Sequence, residues 1–154
     1  MILGKRYYKK RQTSFKTIGQ LRRKGVMENF SLRVNDENGI IEAMDITEQL
    51  ACKMGFSSYD RLFLRLATEE ACSNAYEYCQ KTHQSFFYVF WRISKTKLTI
   101  CVKHEGPMFK VEKRNDVNTG LRGRGLQLIL HIMDQVQVEK QEENVLFFMH
   151  KYRG

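Results

Sequence analysis

The 154-residue sequence has no apolar run of the roughly 18–20 residues needed to cross a bilayer. No apolar segment follows the basic N-terminal residues either, so we expect neither a transmembrane helix nor a secretory signal peptide. The four cysteines show no Cys-x-x-Cys spacing, and Cys72 and Cys79 lie seven apart, on one side of a predicted helix. This pattern indicates small core residues rather than a redox pair, and it favours a reducing, cytoplasmic setting.

Other chemistry is missing as well. No Ser-His-Asp or Cys-His arrangement is evident, and His83, His131 and His150 have no cysteine or carboxylate partner at metal-ligand spacing. We expect these three histidines to be surface or half-buried residues. The length and the 42% hydrophobic content are typical of one globular domain with a single core, and the sequence shows no internal repeat.

Acidic residues are absent from residues 1–26, which hold nine of the 26 lysines and arginines. Residues 27–154 therefore carry 17 basic and 17 acidic side chains and are formally neutral. We expect residues 1–26 to be a disordered basic leader. Two alternatives stay open: binding of nucleic acid or an anionic membrane, or a native start at Met27. In the second case Arg22–Val26 would be a translated ribosome-binding site.

Hydrophobic periodicity predicts the elements of residues 27–154. Alternating Phe30, Leu32 and Val34 predict a first strand. A helix over 40–54 follows, and a second begins near Ser57 and extends to about Gln80. The predicted apolar residues are Ile41, Met44, Leu50 and Met54 in the first helix, and Phe63, Leu66, Ala67, Ala71 and Ala75 in the second.

The second half of the chain predicts two hairpins and one helix. Residues 85–93 are nearly all apolar, which predicts a strand covered on much of both faces, and residues 98–102 pair with it. A polar loop over 104–121 and a helix precede the hairpin of 136–149, which turns near 141–144. This order is not a βαβ alternation. It predicts an α+β, two-layer sandwich with a mainly antiparallel sheet and helices on one face.

Two polar side chains interrupt the apolar stripe of the second helix. Glu70 and Asn74 are four residues apart, so they lie on one face beside the stripe. A carboxylate and an amide near buried surface need a metal ion, a nucleotide or a hydrogen-bond network to satisfy them. A solvated helix edge is the alternative interpretation.

Glycines come together at the start of the last predicted helix. Gly120, Gly123 and Gly125 precede Leu126 and its helical apolar pattern, and Arg122 and Arg124 lie between them. Glycine allows close backbone approach, and free N–H groups at a helix start favour phosphate. Plain turn chemistry would also explain glycines here.

These stretches, in this order, resemble three motifs of the GHKL (Bergerat-fold) ATPases. EEACSNA resembles the N box, VKHEGPMF a variant of the first glycine box, and GLRGRGLQLILHIMD the second glycine box. The short anti-sigma-factor serine kinases of the RsbW and SpoIIAB type are the most similar branch. The resemblance covers roughly 28–152 and implies that residues 27–154 form a histidine-kinase-like ATPase domain with a flexible lid over 104–121.

The resemblance implies a role for each matching residue. Glu70 matches the general base of the family, and Asn74 matches the asparagine that binds Mg²⁺ between the ATP phosphates. Gly120, Gly123, Gly125 and the Leu126 N–H would hold phosphate, and Arg122 or Arg124 would neutralise its charge. Gly106 and Phe109 match the first glycine box.

The base-binding end departs from the family. His104 stands where the family has an aspartate that accepts a hydrogen bond from the adenine amino group. A neutral imidazole accepts one such bond, and a protonated one accepts none. Strand alternation would point Glu105 to the opposite face, and Glu77 and Tyr78 replace the basic residues common in relatives.

Two functions are compatible with this pattern. The first is a cytoplasmic serine kinase that uses ATP and Mg²⁺, binds a sigma factor and phosphorylates an anti-sigma-factor antagonist. The second is a partner-switching module of the same fold whose nucleotide binding is weak or lost. We expect no membrane or direct nucleic-acid partner, and the resemblance leaves a homodimer open.

Overall fold

The computed structural model describes residues 27–112 and 121–154. Its elements are β1 (Glu28–Val34), α1 (Glu37–Met54), α2 (Ser58–Lys81), β2 (Phe87–Ile93), β3 (Lys97–Glu105), α3 (Leu121–Ile132), β4 (Gln135–Gln141) and β5 (Asn144–Tyr152). The leader of residues 1–26 and residues 113–120, which include Gly120 and part of the predicted lid, lie outside the described residues.

The five described strands form one sheet in the order β1-β2-β3-β5-β4, and every neighbouring pair is antiparallel. The helices pack against the sheet through one core, which includes Trp91, Ile100 and Met149 from the strands and Leu50 and Ile129 from the helices. The predicted α+β sandwich with a mainly antiparallel sheet is confirmed.

The two faces of the sheet differ as strand periodicity requires. Phe30, Leu32 and Val34 of β1 are buried, as predicted. In β2 the inward side chains are buried, whereas Tyr88 and Phe90 on the opposite face are only half-buried. The prediction that this strand is covered on much of both faces is therefore confirmed for the face toward the helices and confirmed in part for the opposite face.

Helix α1 begins three residues earlier than predicted. The Asp36 side chain accepts a hydrogen bond from the Gly39 N–H at 2.9 Å and caps the helix. Gly55 ends it in the left-handed conformation with φ 87°, as the sequence predicts. Ile41 was wrongly assigned to the buried stripe, since it is 52% exposed. Ile40 is buried instead, because it lies on the same helical face as the buried Ala43 and Thr47.

Helix α2 has the predicted ends, with the Ser57 side chain accepting from the Asp60 N–H. Its predicted stripe is correct at Ala67, Ala71 and Ala75 but wrong at Phe63, which is 40% exposed. Leu64 is buried in its place. None of the described helices is long and apolar enough to cross a membrane.

A buried hydrogen-bond chain fixes α2 against the rest of the core. The Trp91 indole N–H donates to the Thr47 hydroxyl at 2.9 Å, and the Thr47 and Thr68 hydroxyls lie 2.9 Å apart. Thr68 donates to the Leu64 carbonyl at 2.8 Å. Each of the two hydroxyls donates one hydrogen bond and accepts one. These hydrogen bonds therefore connect β2, α1 and α2 and leave neither hydroxyl unsatisfied.

Candidate nucleotide site

One face of α2 carries a row of polar side chains. Glu70, Asn74 and Tyr78 are spaced by four residues, so they follow one another on the same side of the helix over about 12 Å. All three are half-buried, whereas their neighbours Glu69, Ser73 and Glu77 are exposed. The solvated-edge interpretation of Glu70 and Asn74 therefore does not fit the structure, because this face turns inward from the exposed side.

Gly125 of α3 lies directly against the first residue of that row. A Cβ atom at this position would collide with Glu70 Oε2 and would lie 3.9 Å from Asn74 Nδ2. Glycine thus allows α3 to approach the carboxylate more closely than any other residue could. The structure brings together Glu70, Asn74 and Gly125, which the sequence analysis placed in two separate motifs.

Helix α3 begins at Leu121, where the predicted loop over 104–121 ends, and residues 113–120 before it lie outside the described part of the chain. Gly125 and Leu126 lie inside the helix, in its second turn. The roles of Gly123, Gly125 and the Leu126 N–H in phosphate binding stay predictions. Gly123 lies in the first turn and Arg124 is exposed, and both stay candidates for phosphate binding.

A cavity of about 400 Å³ opens between α2, α3 and the sheet. It is lined by Ala71, Asn74, Ala75, Val102, His104, Pro107, Phe109, Leu126, Ile129 and Phe147. Among the described residues of this lining, Asn74 and His104 are the ones with polar side chains. Its size and apolar walls, with a few placed polar groups, are typical of a small-molecule site.

His104 forms the end of the cavity away from Glu70. Its ring lies over Tyr78 with 4.9 Å between centroids. Glu105 follows in regular register opposite Asn144, without a bulge, and its side chain is exposed. The prediction that Glu105 points to the other face is therefore confirmed.

The segment after β3 forms one wall of the cavity. Gly106 packs on Tyr78, because a Cβ there would lie 3.2 Å from the tyrosine hydroxyl oxygen. The Gly106 N–H donates to the Glu143 carbonyl at 3.0 Å. Phe109 stacks on Phe147 with 6.0 Å between ring centroids, so the loop covers the sheet at this point.

Cys72 lies on α2 between Glu70 and Asn74 but faces the core. Burial raises the pKa of its thiol to about 12, so the sulfur is neutral at pH 7 and is not a nucleophile. Burial, with a smaller contribution from Glu139, also raises the pKa of Cys101 to about 12. Both behave as core residues, as predicted for Cys72.

The residues present fit a nucleotide with a divalent cation. Within residues 27–112 and 121–154 no group of three His, Cys, Asp or Glu side chains could hold a metal by itself. Mg²⁺ commonly takes one or two protein oxygens and completes its shell with phosphate and water. Asn74, whose side chain lines the cavity and carries an amide oxygen, is a candidate protein ligand of this kind.

Sequence reasoning gave no role to Tyr78 or Gln84. The four-residue spacing from Glu70 through Asn74 indicates the position of Tyr78, but its contact with His104 depends on how β3 lies against α2. Gln84 donates to the Glu105 carbonyl and accepts from the Glu105 N–H, both at 3.0 Å. No local pattern predicts this contact, because the residues are 21 positions apart.

Comparison with known proteins agrees with this geometry. Residues 34–149, three quarters of the chain, match the family model described as a histidine kinase-like ATPase domain. No curated protein matches the chain. The match spans α1, α2, the cavity and α3, and membership of such a family implies ATP binding. The chain belongs to the histidine kinase-like ATPase domain family.

Proposed function

We propose that the protein is an ATP-dependent protein-serine kinase and anti-sigma factor, which binds a sigma factor and phosphorylates an anti-sigma-factor antagonist in the cytoplasm. The observation that carries the kinase assignment is the placement of Glu70 and Asn74 one turn apart on α2, with Gly125 of α3 directly against Glu70. This arrangement brings a carboxylate and an amide of α2 against the first two turns of α3.

Glu70 is the general base of the proposed reaction. Its carboxylate takes the proton from the attacking serine hydroxyl as the bond to the γ-phosphorus forms and the bond to the β,γ-bridging oxygen breaks. The contact with Gly125 restricts the positions open to Oε2, so the carboxylate is held near the phosphate end of the cavity. Mg²⁺, when bound through Asn74, neutralises charge on the phosphates.

The start of α3 is the proposed phosphate-binding element. Its unpaired N–H groups and positive dipole end favour an anion, and the exposed Arg124 adds a cation in the same turn. Gly123 has no side chain that could cover the backbone of that turn. Phosphate binding thus combines backbone donors of α3 with the Asn74 oxygen of α2.

Binding of protein partners is supported by a surface on α2 far from the cavity. Tyr59, Leu62 and Phe63 are exposed, and the rings of Tyr59 and Phe63 lie 6.0 Å apart. Exposed apolar groups at helical spacing are typical of protein-binding surfaces. The sequence analysis wrongly placed Phe63 in the core, and its exposure is better explained by such a partner.

A second candidate is a partner-switching module of the same fold with little catalysis. The observation that favours it is His104 at the cavity end, since an imidazole replaces the carboxylate expected from the resemblance. This candidate predicts weak nucleotide binding and no phosphotransfer.

Phosphotransfer to purified antagonists from the native source tests the proposal. The full chain, ATP and Mg²⁺ would be incubated with each antagonist, and phosphoserine measured by mass spectrometry. We expect one antagonist to be phosphorylated by the wild type and not by Glu70→Gln. ATP binding without transfer to any antagonist would contradict the kinase assignment and favour the module. Analytical ultracentrifugation would show whether the protein is a homodimer.

A further inference from the structure

The sheet has one face turned away from the described helices, and we call it the outer face. Strand alternation places Phe90 of β2, Cys101 of β3 and Phe148 of β5 on it. The described helices pack on the opposite face of the sheet. The cavity proposed to bind nucleotide also lies on that opposite side, because Val102 and Phe147 line it. The outer face is therefore a surface separate from the proposed nucleotide site.

Aromatic rings occupy the middle of the outer face. Phe90 and Phe148 both lie in register with the buried Cys101, so one ring stands on each side of a small side chain. Their strands are separated by one other strand, a distance of about 10 Å. The Tyr88 ring lies 6.0 Å from that of Phe90, and the His150 ring lies 6.2 Å from that of Phe148. Phe90 and Phe148 are only half-buried, so part of each ring is open to solvent.

Basic side chains stand on both sides of these rings. Arg92 and Lys97 lie toward one end of the strands. Arg33 and Lys103 lie toward the other end, both in register with Tyr88. Among the described residues, none of these four basic side chains forms an ion pair. Their positive charge is therefore not neutralised by a neighbouring carboxylate.

The acidic residues described on the outer face lie at its margins. Glu139 is on the edge strand β4, and Glu105 is the last residue of β3. Phe90, Lys103 and Phe148 line a depression of about 530 Å³ on this face, with Glu139 at one side. A positively charged surface with partly exposed rings is complementary to a ligand that has both negative charges and planar groups. An acidic peptide supplies the charges alone, whereas single-stranded nucleic acid supplies phosphates and bases.

We propose that the outer face binds single-stranded nucleic acid, with bases stacked on Phe90 and Phe148 and phosphates held by the basic side chains on either side. Unpaired bases can be splayed out onto aromatic side chains, and such stacking tolerates many sequences. A duplex keeps its bases paired and offers this face only phosphates. Binding here does not depend on nucleotide in the cavity, and it adds a partner that the sequence analysis did not expect.

Fluorescence anisotropy tests the proposal on the full chain. The probe is a labelled RNA of about 12 nucleotides and mixed sequence, used alone and annealed to its complement. We expect the single strand to bind about tenfold more tightly than the duplex, because only unpaired bases can stack on the rings. Residues 1–26 are basic and are present in every variant, so differences between variants report on the outer face.

Two substitutions remove the rings and keep apolar side chains. Phe90→Leu and Phe148→Leu should each weaken single-strand binding by about tenfold and leave duplex binding nearly unchanged. Thermal unfolding of each variant shows that the fold is kept. Phe63→Leu is the matched control, because Phe63 is an exposed phenylalanine of α2, and it should bind as the wild type does.

The charges are tested by the salt dependence, which does not require a change in the rings. The double variant Lys97→Gln/Lys103→Gln should reduce the slope of log affinity against log salt concentration by about 1.4, since two contacts to a single strand are lost. The control Lys53→Gln/Lys81→Gln removes the same charge from exposed positions on α1 and α2. It should leave the slope close to that of the wild type.

Several outcomes would overturn the proposal. Equal affinity for single strand and duplex would exclude stacking, and binding that is unchanged in Phe90→Leu and Phe148→Leu would place the nucleic acid elsewhere. An equal change of slope in the two lysine variants would do the same. Absence of single-strand binding, with a dimer in analytical ultracentrifugation that Phe148→Leu dissociates, would assign the face to a second copy of the chain. ATP affinity should be unchanged in all these variants, so each failure leaves the proposed kinase standing.

Discussion

The two ends of the cavity are built in different ways. At the proposed phosphate end two helices meet, and a glycine on α3 lets the backbone approach a carboxylate on α2. At the other end, which we propose binds the base, a strand terminus carries His104, and side chains distant in sequence hold the backbone around it. The groups at the proposed phosphate end are positioned by helical periodicity, whereas His104 is positioned by tertiary contacts. Sequence reasoning therefore identifies groups at the phosphate end more readily than those at the base end.

The largest expected effect is at Glu70. Replacing the carboxylate by an amide in Glu70→Gln removes the general base, so phosphotransfer should fall by about 10²- to 10⁴-fold while ATP binding is kept. Single-turnover transfer of phosphate to the antagonist measures it. Glu69→Gln is the matched control, since Glu69 is exposed. Equal rates in the two variants would show that Glu70 has no catalytic role.

Asn74→Ala should weaken nucleotide binding in the presence of Mg²⁺ by roughly ten- to a hundredfold, the usual effect of losing a bond to a charged group. Equilibrium dialysis of ATP with and without Mg²⁺ measures the change. The exposed neighbour Ser73 supplies the control Ser73→Ala, which should bind as the wild type does. If the Mg²⁺ dependence survives in Asn74→Ala, the cation is held elsewhere.

Gly125→Ala tests the contact between the helices. The added Cβ would collide with Glu70 Oε2, so the carboxylate must move, and ATP affinity should fall by about tenfold. Thermal stability should also fall, despite the better helix propensity of alanine. In the Glu70→Ala background the same change should have little effect on thermal stability, because the collision is absent. A loss of thermal stability that is equal in both backgrounds would contradict the contact.

The smallest effect on the site is expected from Thr47→Val. The Trp91 N–H and the Thr68 hydroxyl would lose their partner, so the free energy of unfolding should drop by about 1–3 kcal/mol. Nucleotide affinity should be unchanged, since the chain of hydroxyls lies away from the cavity. Urea unfolding and a nucleotide titration on the same sample measure both quantities. A parallel loss of affinity would show that the site depends on global stability.

Much of the fold follows from local patterns. The alternation of apolar residues predicts β1. Gly55 predicts the end of α1 and Ser57 the start of α2, because helix caps depend on residues close in sequence. The errors at Ile41 and Phe63 are each an error of one residue in the position of the buried face, since the neighbouring Ile40 and Leu64 are buried instead. Burial of Leu64 rather than Phe63 depends on which elements cover that turn, and a single sequence does not contain this information.

The candidate site was predictable to a similar extent. The face shared by Glu70 and Asn74 follows from a period of four residues, and the nearby glycines suggest a phosphate-binding helix start. The loop predicted over 104–121 ends where α3 begins, at Leu121, and Gly123 and Gly125 lie within the helix rather than before it. The contacts of His104 with the Tyr78 ring and the Glu105 carbonyl were not predictable, because they depend on how β3 lies against α2 and on the local backbone.

The most direct test of the central claim is a calorimetric titration of the full chain with ATP in the presence and absence of Mg²⁺. We expect one site per chain with affinity in the micromolar range that weakens when Mg²⁺ is removed. Absence of binding at millimolar ATP would contradict it, and the cavity between α2 and α3 would then not be a nucleotide site.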